Sequence, residues 1–285
     1  MMDVELDNLD IEVAHGQSVE ATLLAPQRAL PGVLFVHGWG GSQNQDLSRA
    51  REVAALGCVC LTFDLRGHNA DGAGRESVSR ADNLHDLCAC YDWLAAHPDV
   101  DAESVAVVGV SYGAYLAAIL SAMRPVRWLA LRTPALYLDR DWELPKRRLH
   151  DDPALAAYRN SPVRAEDNRA LRACTRFTGD ALLVEAGHDR IIPRQVIDNY
   201  AAAFPRARSM TRRLIDEADH GFSDKTAQRQ YSDVLLGWMT EMILGSRGAI
   251  AASRVRAYKH ARRARADEAA GGVDAVPDAN EAVRS

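Results

Sequence analysis

The stretch Val105-Ala106-Val107-Val108-Gly109-Val110-Ser111-Tyr112-Gly113 decides the reading of this chain. Its first four residues form a short, uninterrupted apolar run. A strand covered on both faces needs no polar side, so such a run marks a strand inside a parallel sheet. Residues from Tyr112 to Met123 then follow a helical period. Between strand and helix lies the pattern G-x-S-x-G, with Ser111 at its centre. Such a turn strains the serine backbone and lifts the hydroxyl clear of the sheet. Small residues two positions away on each side let strand and helix approach. The N–H groups opening the helix then point toward a centre where negative charge can develop. The pattern alone is short, and its strand-turn-helix setting is what gives it weight. Ser111 is therefore a candidate nucleophile.

Outward from this point, the same rhythm recurs. Short apolar runs appear at Val33–Val36, Cys58–Phe63, Trp128–Leu131 and Ala181–Val184, and they predict further central parallel strands. Met210–Ile215 predicts a last strand. Helical periods fall at 45–56, 82–96 and 193–204, and a closing helix at 224–244 carries Tyr231, Val234, Leu235, Trp238 and Met239 on its apolar face. Alternation of strand and helix calls for a doubly wound, mostly parallel α/β sheet. Ahead of it, Val4 to Leu23 alternates in period two and predicts two antiparallel strands joined at His15-Gly16-Gln17. Residues 132–180 break the rhythm with charge and proline and no clear strand, and they read as an insertion and a candidate lid. Residues 1–245 thus read as one α/β domain. Residues 246–285 read as a tail, basic at Arg254, Arg256, Lys259, Arg262, Arg263 and Arg265, then low in apolar content and partly disordered.

The bulk numbers are ordinary for a soluble globular protein. The chain has 285 residues, 47% hydrophobic and 26% charged, with a net charge of -5. That mild acidity argues against a general preference for nucleic acid. No apolar run approaches the ~20 residues of a membrane helix. The acidic start, Met1-Met2-Asp3-Val4-Glu5, lacks a signal-peptide pattern, so a cytoplasmic location is expected. The five cysteines show no C-x-x-C spacing and read as reduced thiols.

A serine hydroxyl needs a base, and the base needs an acceptor to hold its tautomer. His220 lies in a loop between the last strand and the closing helix, where loops line the crevice of an open α/β sheet. Asp189 follows the run Ala181–Val184 and precedes Pro193, which suits the first turn of a helix. Glu185, Asp216 and Glu217 are rival acids. Glu185 falls within the strand or at its edge, which weakens its case.

With these residues in place, the chain resembles the α/β-hydrolase superfamily, through its serine esterase, serine aminopeptidase-like and dienelactone-hydrolase-like branch. The order Ser111, Asp189, His220 matches the superfamily order. His37-Gly38-Trp39-Gly40-Gly41 is similar to its oxyanion loop. Asp64-Leu65-Arg66-Gly67-His68 and Gly187-His188-Asp189 through Pro193 are similar to two further family segments. The resemblance spans roughly residues 4–244. It implies that the backbone amides of Trp39 and Tyr112 form the oxyanion hole. His37, Arg66 and His68 are expected to organise their loops. No metal or cofactor is implied: His188, Asp189 and His220 fit no common zinc spacing. The dienelactone hydrolases themselves carry Cys where this chain has Ser111, which disfavours their activity.

The substrate expected from this reading is a small-molecule carboxylic ester of small or medium acyl size. Amide, peptide or thioester cleavage by the same three residues stays open, as does a non-catalytic binder on the same fold. Trp39, Tyr112, Tyr115, Tyr137 and Trp142 could supply aromatic walls. Arg132 could meet a substrate carboxylate or pair with an acid of the insertion. The basic tail reads as a solvated charge run, with nucleic acid or acidic lipid as the alternative partner. The oligomeric state is not legible.

Overall fold

The structure is a computed structural model and describes residues 4–14, 17–26, 29–68, 74 and 76–245. Two units emerge from its internal contacts, 1–27 with 243–285, and 28–242. In the first, strands β1 (Val4–Ala14) and β2 (Gln17–Pro26) pair antiparallel as a two-stranded sheet of their own. The expected turn residues His15 and Gly16 lie outside the described residues, as does the whole tail from 246.

The second unit is a six-stranded parallel sheet in the order β4-β3-β5-β6-β7-β8. Its strands are β3 (Leu30–Val36), β4 (Val59–Thr62), β5 (Val100–Val110), β6 (Trp128–Arg132), β7 (Asp180–Ala186) and β8 (Ser209–Ile215). Helices α1 (Leu47–Ala55), α2 (Arg80–Ala95), α3 (Tyr112–Leu120) and α6 (Arg194–Ala202) fall close to the expected segments. A last helix, α7, spans 225–245. Side chains alternate across each strand. Leu34, Val36, Val105, Val107, Leu129, Leu131, Ala181 and Leu183 share one buried cluster with Leu116, Leu120, Leu171 and Val196. Their neighbours Val33, Phe35, Ala106, Val108, Trp128, Ala130, Leu182 and Val184 are equally buried. Both faces are covered, which is why these strands read as unbroken apolar runs.

Three differences from the sequence reading have physical causes. Val59–Thr62, read as a central strand, is the outermost strand of the described sheet, and its residues are half-buried. An apolar run reports covered faces, not the number of hydrogen-bonded neighbours. Strand β5 starts at Val100, ahead of the apolar run, because Leu30 and Pro31 pair with Val100 and Asp101 across a register shift. The insertion contains no strand, as expected, but it does contain α4 (Ala154–Arg159) and α5 (Arg169–Arg176). Arginines dominate α5, and its buried face is only Ala170, Leu171, Ala173 and Cys174. Asn168 caps it by accepting from the Ala170 and Leu171 amides.

The strand order reverses between β3 and β5. Strand β4 lies beyond β3, while β6, β7 and β8 continue beyond β5. Open α/β sheets bind ligands in the crevice at such a switch point, outside the carboxyl ends of the strands. Here the segments leaving those two ends are 37–41 and the turn at Ser111. No described helix is long and apolar enough to cross a membrane. The five cysteines form no disulfide, and burial pushes the thiols of Cys60 and Cys90 up to about 12 and about 11.

Candidate active site

Ser111 occupies the first position after β5 with φ 51 and ψ -110, a left-handed backbone that a serine adopts only under constraint. The constraint is visible. Its N–H donates to the Arg132 carbonyl (2.9 Å), and its own carbonyl accepts from Tyr115 (3.1 Å) and Ala135 (3.0 Å). Gly113 is required beside it, because a Cβ there would sit 2.3 Å from the Val36 carbonyl oxygen and 2.4 Å from that of His37. Helix α3 therefore starts hard against the end of β3, and the Tyr112 amide, the first of that helix, lacks an intrahelical acceptor.

The 37–41 loop reaches the same place. A Cβ on Gly38 would lie 3.5 Å from the Cβ of Ser111. His37 fixes this loop from below. Its Nδ1–H donates to the Gly38 carbonyl (2.8 Å), and its Nε2 accepts from the Leu65 amide (3.0 Å). Burial lowers the pKa of this imidazole, which suits a neutral ring acting as donor and acceptor at once. Arg66 bonds Asp86 and Asp82 of α2, and the His68 ring packs 4.5 Å from the Trp39 ring.

His220 approaches from the loop after β8. Its Nε2 is 3.0 Å from Ser111 Oγ, and its Nδ1 is 2.7 Å from Asp189 Oδ2. The other carboxylate oxygen, Oδ1, accepts from the amides of Ile191 and Ile192, both at 2.8 Å. One oxygen thus anchors the loop and leaves the other for the imidazole. The two loops are tied together by backbone bonds from Gly187 to Ile215 (3.0 Å) and from His188 to Ala218 (2.9 Å). Gly187 is needed there, since a Cβ would fall 2.0 Å from the Asp216 carbonyl oxygen. The Asp189 and His220 side chains are 6% and 16% exposed, so the pair sits largely out of water.

The rival acids go elsewhere. Glu185 accepts from the Arg212 guanidinium at 3.0 and 2.9 Å. Asp216 and Glu217 are exposed. Of the side chains expected to line a substrate pocket, Trp39 is half-buried, whereas Tyr112, Tyr137 and Arg132 are sealed inside. Tyr112 donates its hydroxyl to Asn83 Oδ1 (3.1 Å). The Arg132 guanidinium lies 4.5 Å from the Phe222 ring and 5.0 Å from the Tyr231 ring, and it makes no ion pair with the insertion among the described residues.

Sequence reading passed over Lys146 and His150 of the insertion. Lys146 is fully buried, with Nζ 4.0 Å from the Trp39 ring centroid and 5.1 Å from those of Tyr112 and Tyr137. Its polar partner is His150 Nε2, at 2.7 Å. Burial, with repulsion from Arg159 and Arg80, brings its pKa down to about 6. The unfolded chain keeps an ordinary lysine pKa near 10.5. Between about 6 and 10.5 the unfolded state therefore binds a proton that the folded state lacks, and stability rises with pH through that window. Lys146→Met removes this cost and keeps the volume. It is expected to stabilise the fold at neutral pH by about 1–3 kcal/mol, read by urea unfolding. An unchanged or lowered midpoint would mean that the amine is well solvated. No sequence signal marks Lys146, because charged residues surround it in the chain.

Comparison with known proteins agrees with this architecture. Residues 33–234 match the model of the alpha/beta hydrolase family. An uncharacterized protein of Mycobacterium tuberculosis is 30% identical over 179 residues, which is 61% of this chain and 57% of that protein. The match thus spans little more than half the length of that curated relative. Among solved structures, a metagenome-derived lipolytic enzyme of the LipS and LipT pair superposes with a TM-score of 0.60 at 17% identity, covering 75% of this chain and 95% of that one. The thermophilic carboxylesterase EstE1, cloned from a metagenomic library, gives 0.57 at 22% identity, covering 85% and 91%. At these identities the two structures establish a shared fold.

Proposed function

Because the chain belongs to the alpha/beta hydrolase family, we propose that it is a serine hydrolase cleaving a carboxylic ester of small or medium acyl size through an acyl-enzyme. The observation that carries this reading is the unbroken hydrogen-bond chain from Ser111 Oγ through His220 to Asp189, at 3.0 and 2.7 Å.

In this mechanism His220 Nε2 takes the Ser111 proton as Oγ attacks the ester carbonyl carbon. Asp189 accepts from Nδ1–H, which fixes the tautomer before attack and stabilises the imidazolium after it. Negative charge moves onto the carbonyl oxygen, where the amides of Trp39 and Tyr112 receive it. A comparable donor contributes ~2.7–4 kcal/mol in known enzymes. The tetrahedral intermediate collapses, the imidazolium passes its proton to the departing alkoxide, and the acyl group stays on Oγ. Water then attacks the acyl-enzyme with His220 as base, releasing the acid and restoring the serine.

Incubation with a fluorophosphonate is expected to add one phosphonyl group, found on the peptide carrying Ser111. Absence of an adduct on Ser111, together with no ester turnover by folded protein, rejects the reading.

A further inference from the structure

The amine of Lys146 lies against the side chains of the two residues whose amides are assigned to the oxyanion, Trp39 and Tyr112. It is a buried amine with no carboxylate partner among the described residues. The charged groups that act on it are Arg159 and Arg80, and both repel it. Those two arginines are themselves supplied with acceptors. Arg80 donates to the carbonyls of Leu138 and Arg140, and Arg159 to that of Leu136. Among the described residues Lys146 has only the imidazole of His150 and the faces of three aromatic rings. Burying an amine that must give up its proton is a stability cost, and groups perturbed in this way concentrate at functional sites.

The covering layer is thin. His150 is exposed and Trp39 half-buried, and both touch the amine. Lys146 itself is pinned. Its backbone N–H donates to the Val78 carbonyl (2.9 Å), and the neighbouring Pro145 bridges Ser79. Of the side chains that touch Nζ, His150 is the exposed one. An anion entering there would accept from the ammonium and meet Arg80 and Arg159 as further positive charge. It would also restore the proton that burial removes, since an anion favours the charged amine.

We propose that Lys146 is the anion-recognising end of the substrate site, uncovered by displacement of His150, and that the ester hydrolysed carries a carboxylate. This inference rests on the serine-hydrolase reading and names its substrate class.

The test uses the full chain and aryl esters in matched pairs. One pair places the charge on the acyl side, p-nitrophenyl hemiglutarate against p-nitrophenyl valerate. The other places it on the alcohol side, the butyrate ester of 4-hydroxybenzoate against that of methyl 4-hydroxybenzoate. In at least one pair the anionic ester is expected to have the higher kcat/KM. The ratio of anionic to neutral kcat/KM is expected to fall about 100-fold in Lys146→Met. It is expected to rise several-fold in His150→Ala, where nothing has to be displaced. A second readout is independent of turnover. Calorimetric titration of Ser111→Ala protein with both pairs should show tighter binding of the anionic member in at least one of them, lost when Lys146→Met is added. The inference is overturned if both neutral esters are preferred, or if the ratio is unchanged in Lys146→Met or His150→Ala. Neutral-ester preference with intact fluorophosphonate labelling of Ser111 removes this inference alone. Loss of labelling and of all turnover removes the hydrolase reading, and the titration then still decides whether Lys146 binds anions.

Discussion

Replacing Ser111 with alanine is expected to lower kcat for ester hydrolysis by about a million-fold, with the thermal midpoint little changed. The size follows from the loss of the covalent route. Known serine hydrolases lose about that factor when the nucleophile goes, and keep a residual advantage over water from the oxyanion donors and substrate binding. The fold should tolerate the change. Ser111 is held in its left-handed conformation by backbone bonds to Arg132, Tyr115 and Ala135, none of which uses the hydroxyl. Steady-state kinetics on purified variant, with fluorophosphonate labelling as the control, reads the effect. A loss smaller than about 100-fold would place the nucleophile elsewhere.

The second large effect is expected at Asp189. Asp189→Asn should lower kcat by about ten-thousand-fold. The structure gives the reason in atoms. The oxygen that accepts from the Ile191 and Ile192 amides is needed by the loop, so the asparagine would keep its carbonyl oxygen there. Its NH2 group would then face His220 Nδ1 as a donor. The imidazole would answer with Nδ1 as acceptor and its proton on Nε2, facing Ser111 Oγ with no lone pair to offer. Glu185→Gln is the matched control, since its carboxylate is committed to Arg212. It should change kcat by no more than about three-fold. If Glu185→Gln loses more activity than Asp189→Asn while both remain folded, Asp189 is not the acid.

Much of this architecture was legible in the chain. Strand runs at 33–36, 105–108, 128–131 and 181–184 announced themselves because both faces of each strand are buried, so no polar residue interrupts them. The glycine pattern around Ser111 was legible because close approach leaves no room for a Cβ at Gly113. Asp189 was less secure from sequence. Four acids fell near the right place, and only side-chain direction separates them: Glu185 turns to Arg212, while Asp189 splits its two oxygens between its own loop and His220. Aromatic residues near the motifs suggested pocket walls, yet Tyr112 and Tyr137 are core residues. Composition does not say on which side of a backbone a ring falls.

What the sequence by itself determined is the set of parts and their order: a parallel sheet, a serine on a strained turn, and a histidine and acids in loops beyond later strands. These are local properties, written in hydrophobic period and in the steric demands of single positions. Only the tertiary structure decided the rest. It brought His220 to 3.0 Å from Ser111 across 109 residues of chain. It turned Arg132 away from the insertion onto Phe222 and Tyr231. It also buried Lys146, an ordinary lysine in a charged stretch, against Trp39. The physical reason is the same in each case. A side chain's partner is fixed by which strand ends and loops converge at the reversal of the sheet, and that convergence is a long-range property with no local period to read.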